Sequence, residues 1–190
     1  MKKVEYNSLV PGDILLVHGS GFISKSIQYF MGIYKKRKGI PKSKLYNHAA
    51  IIIEVWGRLY AAEALATGIN IAPLEQAYPE GKWENIKVRT PKKPYNKEEQ
   101  ELISKIAVAY AFTPTRYGYG DLLAHAAAII SGKGYDGWVG KKEERAEKRQ
   151  HCTEYCATCA NKVRPNTYEF QWHANPVDIE INKYYVDKEM

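Results

Sequence analysis

The residues best suited to chemistry in this sequence are Cys152, His48 and Glu63. Cys152 lies at the start of a segment, Gln150 to Val163, whose apolar spacing predicts a helix. Peptide N–H groups at a helix start lack intrahelical partners and carry partial positive charge. They stabilise a thiolate, and they hydrogen-bond an oxyanion formed on a carbonyl. One position can therefore supply nucleophile and oxyanion donor together. Thr153 and Glu154 suit a first turn, where a carboxylate meets the dipole favourably. His48 opens the apolar run Ala49 to Val55, and Glu63 sits between Ala62 and Ala64 in a strand that returns from it. A two-residue turn near Trp56-Gly57 pairs positions whose numbers have an odd sum, so His48 and Glu63 share a face, directly opposite or diagonal. A one-residue change in the turn would put them on opposite faces. A carboxylate among alanines requires a partner, and an imidazole is a suitable one. Glu63 would fix the His48 tautomer, and His48 would take the Cys152 proton. Taken singly, each has a plainer reading: a structural thiol, a capping histidine and a sheet-edge glutamate.

Other motifs compete and lose. An odd set of three cysteines in one short segment, Cys152, Cys156 and Cys159, is no disulfide framework. Its C-x-x-x-C-x-x-C spacing is that of the radical S-adenosylmethionine cluster motif. That motif sits early in a large barrel, and only 31 residues follow Cys159. A zinc site with His151 or His173 as fourth ligand is conceivable. Positions 152, 156, 159, 160 and 163 form one apolar helical stripe, however, so Cys156 and Cys159 read as small core hydrophobes. Gly132 to Gly137 spells G-x-G-x-x-G but follows a predicted helix, not a strand, and reads as a glycine loop. No metal or cofactor is expected.

The elements that must position these residues can be read along the chain. Pro11-Gly12-Asp13 is a turn before a buried strand, Ile14 to Val17, and His18 to Gly21 is a loop. Phe22 to Met31 has helical spacing, and a basic loop runs from there to about Tyr46. Ala49 to Val55 is a central strand and Leu59 to Ala64 its antiparallel return. Trp83 to Arg89 suggests another strand. Asn96 and Glu99 form a capping box for a helix to about Phe112. A further helix, Asp121 to Ile130, ends at Gly132. Arg164 to Met190 mixes Tyr, Val and Ile with turn residues. The expectation is one α+β domain over 190 residues, a length that buries roughly 70% of the unfolded surface.

Charge narrows the partners. Lys plus Arg number 28 and Asp plus Glu 21, for a net charge of +7. The cations from Lys141 to Arg149 interleave with Glu143, Glu144 and Glu147 and read as a solvated, ion-paired helix face. Lys35 to Lys44 has no acids and follows Tyr29, Phe30 and Tyr34. It offers a candidate surface for an anionic partner, without any motif for specific nucleic-acid binding. No signal peptide and no run of about 20 apolar residues is visible, so the cytoplasm is the expected compartment.

The order of the pieces is more telling than any one of them. Pro11-Gly12-Asp13-Ile14-Leu15 comes first, then His48-Ala49-Ala50-Ile51-Ile52, then Glu63-Ala64, then Cys152-Thr153-Glu154. This order resembles the circularly permuted papain-fold proteins related to NlpC-type cell-wall peptidases, the YiiX-like group. The resemblance covers roughly Val10 to Asp178. It implies a small antiparallel sheet packed against helices, one of which begins with the catalytic cysteine. It implies Cys152 as nucleophile, His48 as base and Glu63 as third member. Tyr46, Tyr117 and Tyr119 are candidates for shaping a substrate cleft. Insertions at about 33–46 and 131–149 would flank it. The implied activity is hydrolysis of an amide in a peptide or peptidoglycan fragment. The alternatives are acyl transfer or thioester hydrolysis on acyl lipids, as in lecithin:retinol acyltransferase-like proteins, and non-catalytic binding of a polyanion or metal.

Overall fold

The structure, a computed structural model, describes residues 6–41, 43–113, 116–117, 149–168 and 174–189. The fold is mixed α+β, built on β1 (Ile14–Val17), β2 (His48–Val55), β3 (Arg58–Leu65), β4 (Gly68–Pro73), β5 (Ile86–Pro91) and, near the C-terminus, β8 (Tyr185–Lys188). These six form one antiparallel sheet in the order β4-β3-β2-β1-β5-β8. Two short strands, β6 (Arg116–Tyr117) and β7 (Arg149–Gln150), pair in parallel as a separate sheet. The helices are α1 (Phe22–Arg37), α2 (Leu74–Ala77), α3 (Lys97–Ala111), α4 (Cys152–Val163) and α5 (Pro176–Ile181).

The unbroken apolar run in β2 has a direct cause. Ala49 to Ile53 are all fully buried, because both faces of this strand are covered. On one face Ile14, Leu16, Ala49, Ile51, Ile53, Ala62 and Ala64 pack against Ile103 and Ala107 of α3 and Tyr155, Cys156, Cys159 and Ala160 of α4. On the other, Leu15, Ala50, Ile52, Ala61 and Val88 pack against Leu74, Tyr78 and Trp83. Each fully buried Ile or Leu contributes about 1.5–3 kcal/mol over the exposed state.

The turns are dictated by backbone sterics. Trp56 (φ 51) and Gly57 (φ 74) make the two-residue connection between β2 and β3, the positive-φ pair of a type I′ hairpin. In the Pro11-Gly12-Asp13 turn, Gly12 has φ +95, and a Cβ there would lie 2.3 Å from two ring carbons of Tyr95. The Gly12 N–H donates to the Ile52 carbonyl at 2.9 Å. Asp13 accepts from the Val10 N–H at 3.1 Å and from Lys188 Nζ at 2.9 Å, joining this turn to β8. Gly12→Ala should therefore lose about 2–4 kcal/mol of stability, read as a lowered denaturation midpoint.

Some sequence boundaries require correction. α1 extends to Arg37, six residues past Met31, so Lys35 belongs to a helix and not to a loop. Lys35 is 3% exposed and pairs with Glu180 at 2.5 Å, and Lys44 donates to the Glu84 carbonyl and the Asn85 side chain. Lys35 is thus ion-paired and buried, whereas Lys44 stays exposed with uncharged partners. Trp83 lies in a 3-10 turn (Glu80–Asn85), and the strand begins only at Ile86. Sequence reading left β4, α2, α5 and β8 unassigned. The Asn96–Glu99 capping box is present, at 2.8 Å in both directions. Tyr119, the 121–130 helix, the 132–137 glycine loop, the charged run 141–148 and His173 lie outside the described residues.

Candidate active site

α4 brings Cys152 into place and is fixed along its length. Residues Cys152 to Ala160 are all buried, so packing and not intrinsic propensity holds this helix. At its start, Thr153 Oγ1 donates to the Ala174 carbonyl at 2.5 Å, and the Glu154 carboxylate accepts from the His151 N–H at 3.0 Å. In the middle, the Tyr155 hydroxyl donates to the Ala107 carbonyl at 3.0 Å. At its end, Arg164 makes a two-pronged pair with Glu99, at 2.7 and 2.6 Å, over the ring of Tyr95.

The sheet brings His48 and Glu63 together. Ile51 pairs with Ala62, which puts Ala50 opposite Glu63 and His48 diagonal to it on the same face. His48 Nε2 donates to Glu63 Oε2 at 2.6 Å. The side chains are 21% and 10% exposed, enough for His48 to be reached while Glu63 is shielded. Glu63 also accepts from the Tyr78 hydroxyl at 2.8 Å and from the Asn70 side chain. Asn70 is the cross-strand partner of Glu63 in β4.

How Cys152 meets His48 depends on a break in pairing. α4 covers the face bearing Ala49 and Ile51, whereas His48 and Glu63 alternate with them and belong to the other face. Pairing of β2 with β3 stops at Ile51–Ala62. Ile52 exchanges both backbone hydrogen bonds with the β1 side, so by alternation the Ala49 N–H points towards β3. With no β3 partner there, it donates to the sulfur of Cys152, as does the N–H of Thr153. His48 completes the set with a side-chain hydrogen bond to Cys152. Its Nε2 being committed to Glu63, the nitrogen left for the thiol is Nδ1.

The electrostatics follow from these contacts. Burial pushes the Cys152 thiol up, but the charge and hydrogen bond of His48 and the two N–H donors outweigh it, and the net shift is downward. Burial pulls His48 down, but the Cys152 charge and hydrogen bond and then Glu63 push it up to about 10. Burial raises Glu63, but His48, Tyr78 and Asn70 bring it below its usual value. The arrangement favours a thiolate–imidazolium pair backed by a carboxylate.

Cys156 and Cys159 behave differently. Both are fully buried in the core. Burial pushes both thiols upward, Cys159 to about 12. His151 faces Thr153 Oγ1 at 2.9 Å and Glu154 at 3.3 Å, a local brace on the helix start. Tyr46 is buried and packs in the core under Lys87. Tyr117 lies in β6 next to the strand that leads into α4.

Sequence reading missed Asn70, Tyr78 and Asn47. Asn47 Oδ1 accepts from the Gly19 N–H at 2.6 Å and Gln28 Nε2 at 3.0 Å, pinning the loop beside His48. Thr67-Gly68 before the alternating Ile69-Asn70-Ile71 was a legible hairpin signal for Asn70. Tyr78 had none, because no periodicity surrounds it.

No family model and no curated protein matches the chain. Among solved structures, it is similar to YiiX from Escherichia coli O157:H7, described as a metalloprotein of DUF1105. The likeness covers 95% of this chain and 96% of that one, with a TM-score of 0.60 and 14% identity. The chain therefore has a YiiX-like α+β fold, a six-stranded antiparallel sheet with helices packed on it.

Proposed function

We propose that this protein is a thiol hydrolase that cleaves an amide in a peptide or peptidoglycan fragment. The observation that carries this reading is the chain of hydrogen bonds from Cys152 through His48 to Glu63 at the start of α4. The Cys152 thiolate attacks the carbonyl carbon, and the oxyanion faces the N–H groups of the helix start. His48 gives its proton to the leaving amine as the C–N bond breaks. Water then loses a proton to His48 and attacks the thioester, releasing the acid and restoring the ion pair. Glu63 holds the imidazole throughout. The position of the His48 and Glu63 strands ahead of the Cys152 helix supports a circularly permuted papain-like order.

YiiX is described as a metalloprotein. In this chain both nitrogens of His48 are engaged. Among the described residues, no group of three or more His, Cys, Asp or Glu side chains is placed to hold an ion. These residues do not fit a metal centre, and no step is assigned to one.

Brief iodoacetamide treatment at about pH 6, followed by peptide mapping, should label Cys152 ahead of Cys156 and Cys159. Amide cleavage should persist with chelator present. Equal labelling of the three thiols in the folded protein would refute the mechanism. Release of acyl chains from lipids, with amides untouched, would move the activity to acyl-lipid chemistry.

A further inference from the structure

The geometry points to Tyr78 as a positioning residue: its buried hydroxyl holds the Glu63 carboxylate, and through it His48, in the orientation that serves Cys152. The link to Cys152 rests on the thiol-hydrolase reading; the link to Glu63 does not.

The Tyr78 hydroxyl donates at 2.8 Å to Glu63 Oε2, the same oxygen that receives His48 Nε2 at 2.6 Å. Two donors converging on one oxygen fix both the rotation of the carboxylate and its charge. The Tyr78 backbone is itself held on both sides. Its N–H donates to the Leu74 carbonyl at 2.8 Å, closing α2. Its carbonyl accepts from the Tyr6 hydroxyl at 3.0 Å and from Trp83 Nε1 at 2.8 Å. The rings of Tyr6 and Trp83 meet edge to face, with centroids 5.7 Å apart. An ordinary core tyrosine needs one acceptor for its hydroxyl; this one is braced by three elements so that the hydroxyl stays on Glu63. Its phenol remains a donor, because burial and then the Glu63 charge raise its pKa.

The groups facing Glu63 are His48 from β2, Asn70 from β4, Tyr78 after α2, and the thiol of Cys156 from α4, while the Cys152 thiol faces His48 and Tyr78. The three hydrogen-bond donors, His48, Asn70 and Tyr78, favour the carboxylate. Removing the phenol hydroxyl removes one of them and leaves the ring in place. Glu63 should then take up a proton at higher pH, and the His48 cation should lose its anchor at higher pH as well.

The test is Tyr78→Phe, read by two titrations. One follows the Glu63 carboxyl by carbon-13 NMR. The other follows the rate of Cys152 alkylation against pH. The Glu63 midpoint should rise by about one pH unit, the size expected for a lost hydrogen bond to a charged group. The acid limb of Cys152 alkylation should move up with it. Site-specific 3,5-difluorotyrosine at position 78, a stronger donor of nearly the same shape, should move both midpoints the other way. It also decides the matter if the Phe variant does not fold. Unchanged midpoints, even with a lowered melting temperature, would reduce Tyr78 to a packing residue and overturn the inference. If wild-type Cys152 shows no preferential alkylation, the hydrolase reading fails, and the Glu63 titration alone still supports or overturns the role of Tyr78.

Discussion

Cys152→Ala should abolish amide cleavage, a loss on the order of 10^6-fold in rate, while the protein still folds. The magnitude follows from the role. Without the sulfur no thioester forms, and only binding and the N–H groups at the start of α4 remain to assist water. The cost in stability should be small, about 1 kcal/mol, because one sulfur leaves a site whose walls are held from elsewhere. Those walls include Thr153 bonded to Ala174, Tyr155 bonded to Ala107, and the Arg164–Glu99 clamp. Cys156→Ala and Cys159→Ala are the controls. Both side chains lie in the apolar core, so these variants should lose stability and keep activity. Activity surviving in Cys152→Ala, or vanishing only in Cys156→Ala, would eliminate the assigned nucleophile.

His48→Ala should slow Cys152 alkylation at neutral pH by at least about 100-fold and cut turnover by about 10^3 to 10^4. In the wild type the thiol pKa is lowered, so the thiolate is present above that value and lost as pH falls through it. The His48 pKa is raised to about 10, so its proton is present below that value and lost as pH rises through it. Turnover requires both the thiolate and the proton for the leaving amine. The profile should therefore be a plateau bounded on the alkaline side near 10. Removing the imidazole deletes the charge that offsets the burial of Cys152. The thiol should then titrate above the ordinary cysteine range, and the alkaline limb should disappear. A variant whose alkylation profile overlays the wild type would show that the two side chains are not electrostatically joined.

Periodicity, turn chemistry and residue type carried much of this in the sequence. The β-branched run after His48 specified a doubly buried strand. Trp56-Gly57 specified a two-residue hairpin, and its parity put His48 and Glu63 on one face. Asn96 and Glu99 specified a helix start. The end of α1 was not legible, because Lys35 to Arg37 look like loop cations until Glu180, 145 residues away, buries Lys35 in an ion pair. A distant partner leaves no local mark.

The sequence alone determined which side chains were candidates for chemistry and that His48 and Glu63 share a face, since side-chain alternation is a local property of a strand. The tertiary structure decided whether they meet. α4 packs on the opposite face of the sheet from His48. Contact exists because β2 and β3 part after Ile51–Ala62, which frees the Ala49 N–H for the Cys152 sulfur. The tertiary structure also supplied Asn70 and Tyr78, which act on Glu63 from elements that nothing near Glu63 in the chain announces. Register and the end of a ladder depend on the sum of packing over both faces. No window of sequence contains that sum.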